Sequence, residues 1–242
     1  MQFTHPTTAR DLIRRDFELR VDARCVPGTL TLRADASPRA IVIAGHGFML
    51  SRRTPFPATL EADLARRDVG VVGLDAPGNG DRQPDGGRDR ALVDRAWRAH
   101  WRQHAAEEIA QEHRALIAAL AEAGYGDRPL GYWGLSLATQ YGVGILAAEP
   151  RIRAAVLGLS ALPDPGPRIA AYAERVSCPV FFILQEGDTI AVPGRARALF
   201  ERIGSREKVL RASAGGHTDV PSAVFEEGYR FLQAHLLDSA AR

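Results

Sequence analysis

The segment Leu130-Gly-Tyr-Trp-Gly-Leu-Ser-Leu-Ala-Thr runs from an apolar strand pattern straight into a helical one, with Ser136 at the junction. A serine on so sharp a turn needs small residues two positions before and two after it, because larger side chains would collide with the neighbouring strand and helix. Gly134 and Ala138 meet that need, as G-x-S-x-A in place of G-x-S-x-G. The helix that starts after Ser136 would turn its first N–H groups and the positive end of its dipole toward an attacked carbonyl, which makes Leu137 N–H an expected oxyanion donor. The pentapeptide alone also suits an ordinary N-cap serine, so the reading depends on partners elsewhere.

A serine hydroxyl is a weak nucleophile until a base takes its proton, and the base needs a carboxylate to orient it. Asp188, in Leu184-Gln-Glu-Gly-Asp-Thr-Ile-Ala-Val-Pro, and His217, in Gly215-Gly-His-Thr-Asp-Val-Pro, follow in the required order. Each lies just past the carboxyl end of a strand pattern, where sites of open α/β sheets are found. Asp164, in Ala-Leu-Pro-Asp-Pro-Gly-Pro after the preceding strand, is a competing acid; Asp188 is favoured for its Gly-Asp turn directly at a strand end. A second backbone donor is expected where the strand AIVIAG ends in His46-Gly-Phe-Met-Leu: Phe48 N–H, with Gly47 allowing close approach and His46 fixing the loop rather than moving protons.

These residues need a scaffold, and the apolar runs supply one. AIVIAG at 40–45, VGVVGL at 69–74, LGYWGL at 130–135, AAVLGL at 154–159 and VFFIL at 180–184 read as strands buried on both faces, with a weaker strand at Lys208–Ser213. Helical spacing falls between them, at PATLEADLARR, 88–123, LATQYGVGILAAE, RIAAYAERV and RARALFERI, and again at 222–237. Residues 17–35 alternate around Val26-Pro27-Gly28, which predicts an antiparallel entry hairpin turning there. The expected fold class is therefore a three-layer α/β sandwich, a mostly parallel sheet with a leading antiparallel hairpin, in a single domain over 1–242.

The strand followed by H-G-F, the run VVGLDAPGNGD, the G-L-S-L-A turn, then E-G-D and G-G-H together resemble the α/β-hydrolase superfamily of serine esterases, in particular small cap-less members such as dienelactone hydrolase-like proteins. Asn79 and Arg82 stand where histidine and serine are common in that family. The resemblance implies hydrolysis through an acyl-enzyme without metal or organic cofactor.

Other signals carry less. His100 and His104, followed by Glu107, Glu108 and His113, share a helical face but lack H-E-x-x-H and any cysteine ligand, so no metal is expected. The glycine run after Gly78 lacks the G-K-[ST] ending of a phosphate loop. With Lys+Arg 31 against Asp+Glu 29, the net charge of +2 builds no face for nucleic acid, and the basic residues, of which only Lys208 is lysine, are scattered. The start MQFTHPTTARDLIRR holds no signal-peptide core and no run is long enough to span a membrane, so a cytoplasmic location is expected, with Cys25 and Cys178 as two buried thiols.

The expected activity is cleavage of a small-to-medium carboxylic ester or lactone, with a small-molecule acyl substrate as the partner. Thioester hydrolysis or acyl transfer would use the same residues; a C–C or peptide bond hydrolase, or a binding protein that kept the fold, stands further off. Only Ser160 to Cys178 separates the strands AAVLGL and VFFIL, too little for a cap domain, so the wall of the pocket is expected from 82–123, with Trp97 and Trp101 as its aromatic surface.

Overall fold

The computed structural model describes residues 2–3, 6–9, 11–92, 94–95, 105–163 and 167–238. They fall into two compact units, Met1–Arg128 and Pro129–Arg242.

In the first unit, β1 (Gln2–Phe3), β2 (Thr7–Ala9), β3 (Leu12–Val21), β4 (Arg24–Arg33), β5 (Ala40–Ala44) and β6 (Val69–Leu74) pair in the order β1-β3-β4-β6-β5, with β2 also on β3. The pairs β3–β4 and β4–β6 are antiparallel, and β5–β6 is parallel. The entry hairpin is present, but it turns at Asp22-Ala23, inside the closing pair Val21↔Arg24, and not at Val26-Pro27-Gly28. Asp22 takes the left-handed conformation the turn needs, at φ 52°. Gly28 lies within β4 because the ring of Phe17, its register partner, fills the place of a side chain: a Cβ there would sit 2.1 Å from a ring carbon. Pro27 offers no N–H to the ladder, but its carbonyl still ties the strand down by accepting the Asp75 N–H at 3.0 Å.

Helix α1 (Leu60–Ala65) meets β4 where Thr31 Oγ1 donates to Glu61 at 2.7 Å. Helix α2 (Ala105–Leu120) meets it where Arg24 Nε lies 3.3 Å from Glu108 and 3.2 Å from Glu112. Residues 24 and 31 point to opposite faces of an unbulged strand, so the two helices cover opposite faces of this sheet.

In the second unit, β7 (Leu130–Leu135), β8 (Ile152–Gly158), β9 (Val180–Gln185) and β10 (Lys208–Ser213) pair in that order, all parallel. The helices are α3 (Leu137–Ala148), α4 (Pro167–Glu174), α5 (Pro193–Arg202) and α6 (Ser222–Leu236). Adjacent residues on β7 show how the layers form. The Tyr132 ring seats Gly142 of α3, where a Cβ would come within 2.6 Å of it. Trp133, on the other face, stacks on Tyr229 of α6 at 5.0 Å between centroids. On β9, Phe181 meets Phe231 of α6, and Phe182 meets Phe200 of α5. Parallel strands covered on both faces must be apolar throughout, and β7 and β9 are buried at every position.

The expected three-layer α/β class, with a leading antiparallel hairpin and otherwise mostly parallel pairing, is observed. The thiols depart from expectation. Cys25 is exposed, on β4 opposite Arg20, and Cys178 is half-buried; both are free. Burial nonetheless pushes the Cys178 thiol up to about 11. Among the described residues, no helix is long and apolar enough to cross a membrane, and no group of His, Cys, Asp and Glu could hold a metal ion.

Candidate active site

At the end of β7 the backbone turns through Ser136 at φ 59° and ψ −122°, a conformation that costs on the order of 1–3 kcal/mol in a non-glycine residue. Its surroundings over-determine it. Ser136 N–H donates to Gly158 O at 2.9 Å, and Thr139 N–H donates to Ser136 O at 3.0 Å. The buried Thr139 hydroxyl lies 2.7 Å from both Gly134 O and Gly158 O and accepts the Gly158 N–H at 2.8 Å. Tyr132 OH donates to Ala138 O at 2.7 Å. A Cβ at Gly134 would strike the Tyr132 ring at 2.5 Å and Ala138 O at 2.7 Å, which is why glycine stands two residues before the serine. Leu137 is the first residue of α3, so the helix itself leaves its N–H uncommitted.

Asp188 follows the end of β9 and is buried. Its Oδ1 accepts the N–H groups of Ile190 and Ala191, each at 2.8 Å, and its Oδ2 accepts from His217 Nδ1 at 2.7 Å. His217 follows the end of β10 on a loop fixed from both sides. Gly187 N–H donates to Gly215 O at 2.9 Å, and Gly216 N–H to Asp219 Oδ2 at 2.9 Å. With Nδ1–H engaged by the carboxylate, Nε2 is the acceptor, and it lies 2.9 Å from Ser136 Oγ. The arrangement can move a proton from the serine hydroxyl to an imidazole that is held in one tautomer.

In the first unit, the loops after β5 and β6 are stitched together. His46 is buried; its Nε2 accepts the Ala76 N–H at 3.0 Å and its Nδ1 donates to Gly47 O at 2.9 Å, the loop-fixing contacts expected from the sequence. Burial lowers the affinity of the His46 ring for a proton. Phe48 is half-buried in the turn that Leu50 N–H closes on Gly47 O at 3.2 Å. Beneath the loops lies an ion network that the sequence reading missed. The Arg52 guanidinium pairs with the fully buried Asp75 and with Asp81, the latter at 2.9 Å, and Arg52 N–H donates to Asp75 Oδ1 at 2.8 Å. Gly80, at φ 54°, lets the chain pass over the Asp75 carboxylate, where a Cβ would come within 2.3 Å. Arg82 donates to Asp75 O at 3.0 Å and grips Glu112 of α2 through both terminal nitrogens, at 2.9 and 3.0 Å. Burial raises the Glu112 carboxyl, and it holds His113, whose Nδ1 donates to Ile109 O, down at about 4. The signal for this network was the run Asp75-Ala-Pro-Gly-Asn-Gly-Asp-Arg, which marks a tight loop without naming its partners.

Trp97, Trp101, His100, His104 and the competing acid Asp164 lie outside the described residues.

No family model and no curated protein matches the chain. Solved structures do. A cold-adapted esterase from an Arctic intertidal metagenomic library superposes with a TM-score of 0.87 at 28% identity, over 98% of this chain and 100% of that one. Acetyl xylan esterase 1 from a Thermoanaerobacterium strain gives 0.72 at 15% identity, over 96% and 86%. A Klebsiella pneumoniae protein provisionally named a dienelactone hydrolase gives 0.73 at 14% identity, over 93% and 98%. The two more distant likenesses bear on the fold, while the first extends to an esterase of the same length at appreciable identity. The chain is an esterase-like protein of the α/β-hydrolase fold.

Proposed function

We propose that the chain is a serine hydrolase that cleaves a small-to-medium carboxylic ester or lactone through an acyl-enzyme. The observation that carries this reading is the unbroken relay from Ser136 Oγ through His217 to Asp188, built on a strained turn. Ser136 Oγ attacks the carbonyl carbon while His217 Nε2 takes its proton, and Asp188 stabilises the imidazolium. Leu137 N–H and Phe48 N–H are the proposed donors to the tetrahedral oxyanion. The C–O bond to the leaving alcohol then breaks as His217 returns the proton to it. Water attacks the acyl-serine with His217 again as base, freeing the acid and Ser136. No metal or organic cofactor enters these steps. The esterase at 28% identity favours an oxygen ester over other acyl compounds.

Between β8 and β9 the one described helix is α4, too short to roof a long acyl chain. Short and medium acyl groups are therefore the proposed substrates. Ser136→Ala tests the mechanism: turnover of p-nitrophenyl acetate should fall by roughly three orders of magnitude or more, and labelling by a fluorophosphonate should vanish. A purified Ser136→Ala protein with near-normal kcat overturns the reading. A kcat/KM that climbs steadily to the longest chains of an ester series overturns the substrate class.

A further inference from the structure

Asp188 and His217 sit on loops that leave neighbouring parallel strands at the same level, since the last pair of the β9–β10 ladder is Gln185↔Ser213. Beyond that pair two backbone bonds join the loops, Glu186 N–H to Ser213 O at 2.8 Å and Gly187 N–H to Gly215 O at 2.9 Å. Both run from the acid's loop to carbonyls of the base's loop, so by themselves they leave the base's loop free to rock about the line through them. A contact off that line removes the freedom, and the Gln185 side chain makes one. It is 1% exposed, its Oε1 accepts the Ser213 hydroxyl, and its Nε2 has no hydrogen-bond partner among the described residues. A buried amide left half satisfied costs stability that methionine or leucine in its place would not, so its presence calls for another reason. The Nε2 lies against the bend at Gly215: a Cβ built there would be 3.3 Å from it, and 3.1 Å from Asp219 Cβ. Gly215 is at φ 143°, a value that favours glycine, and Asp219 Oδ2 accepts the next N–H, that of Gly216, at 2.9 Å. The bend that carries His217 is thus packed by Asp219 and by the Gln185 carboxamide.

We propose that Gln185 is a positioning residue: its carboxamide is a strut from Ser213 to Gly215 that fixes the height of the His217 loop and so keeps His217 Nδ1 on Asp188. The inference rests on the serine-hydrolase reading above. The strut acts through the Nδ1 to Oδ2 contact, at 2.7 Å, and therefore on the proton transfers that His217 carries out rather than on substrate binding.

Gln185→Met keeps the length and bulk of the side chain and removes its polar end. With p-nitrophenyl acetate it should lower kcat by about tenfold, with KM changed less than about threefold. An imidazole N–H held by a buried carboxylate gives a far-downfield proton resonance, and in Gln185→Met that of His217 should broaden or move upfield. Leu199→Ala, which cuts back a fully buried side chain on α5, should lower the urea midpoint at least as much and leave both kcat and the resonance as in wild type. A merely structural role for Gln185 predicts that the two variants behave alike, and that result overturns the strut. Ser213→Ala removes only the hydroxyl that Gln185 accepts, and this residue is half-buried, so it serves as the test if Gln185→Met does not fold. It should lower kcat by about threefold and shift the resonance in the same direction, and adding it to Gln185→Met should cost nothing more. If Ser136→Ala is inactive while Gln185→Met, or in its place Ser213→Ala, keeps its kcat and its resonance, the strut is overturned and the hydrolase reading stands. If Ser136→Ala is active, the hydrolase reading has failed and the role of Gln185 in catalysis falls with it.

Discussion

Two pieces of irregular backbone at strand ends, the turn at Ser136 and the paired loops after β5 and β6, are braced by different forces. The turn at Ser136 is held by neutral groups: the Thr139 hydroxyl, the Tyr132 hydroxyl and the carbonyls of Gly134, Ala138 and Gly158. The loops of the first unit, joined to one another by the His46 hydrogen bonds, are in addition anchored by ions, Arg52 with Asp75 and Asp81, and Arg82 with Glu112. The difference follows from what each must present. In the proposed reaction His217 alternates between neutral and charged forms, and any fixed ion added to the turn beneath it would bias that exchange. In that proposal the loops after β5 and β6 present only a backbone N–H, which is indifferent to a buried ion pair, and charge-assisted hydrogen bonds hold a loop more strongly than neutral ones do.

The comparison breaks first at Arg52, where the largest effect is expected. A buried ion pair contributes little net stability, yet removing one partner leaves the other charge uncompensated. In Arg52→Met, Asp75 would keep, among the described residues, the backbone N–H groups of residues 52 and 81, each at 2.8 Å. Urea unfolding should show a loss of about 3–5 kcal/mol, and Arg52→Met/Asp75→Leu should recover part of it. A loss below about 1 kcal/mol would mean that the ions decorate these loops and do not brace them.

That contrast also explains what could be read from the sequence. Strands buried on both faces are uninterrupted apolar runs, so β6 and β7 were legible to the residue, and β5, β8 and β9 within a residue or two, whereas the half-exposed edge strand β10 was legible only as a weaker pattern. Ser136, Asp188 and His217 were legible because each sits where a strand pattern gives out. The hairpin turn was misplaced since Pro-Gly signals a turn locally, and only the distant Phe17 and Asp75 make a strand of it. Cys25 was expected to be a buried thiol because a reducing compartment and a self-sufficient core leave no need for a disulfide, but the pairing register sets it on solvent. The ion network was not legible: Arg52 and Asp75 are 23 residues apart, and one arginine among scattered others announces no partner. Lys208 likewise gave no sign of its use, which is to donate to the carbonyls of Phe200, Glu201 and Ile203 at the end of α5.

Acid sharpens the comparison, because the first unit also buries a histidine that must stay neutral. The unfolded chain protonates His113 near its ordinary 6.5, whereas the folded chain does so only near 4. Between those values the unfolded state binds more protons, so this contribution is complete above 6.5 and is lost as pH falls toward 4. The full loss is roughly 3 kcal/mol, of which about 2 kcal/mol is gone by about pH 5. His113→Gln removes the titration, so the gap in unfolding free energy between wild type and variant should narrow by that amount from about pH 7 to about pH 5. A gap that stays constant with pH would show that His113 accepts its proton without hindrance in the folded chain.

The smallest effect is expected at the neutral brace. Thr139→Val keeps the shape of a fully buried side chain and removes its hydroxyl. The Gly158 N–H, which that hydroxyl accepts at 2.8 Å, is then stranded in a dry interior. An orphaned backbone donor of this kind costs about 1–3 kcal/mol, while Thr139→Ser should lose much less because it keeps the acceptor. Gly158 O still receives the Ser136 N–H at 2.9 Å, so the turn should survive with looser orientation of its serine, and kcat should drop by about tenfold. What separates this site from the loops of the first unit is its response to salt. Buried neutral hydrogen bonds are not screened, so the Thr139→Val deficit in urea unfolding should be the same at about 0.1 M and about 1 M sodium chloride. A deficit that shifts by more than about 1 kcal/mol between those conditions would mean that charge reaches the turn at Ser136 after all, and the division between a neutral brace and an ionic one would have to be given up.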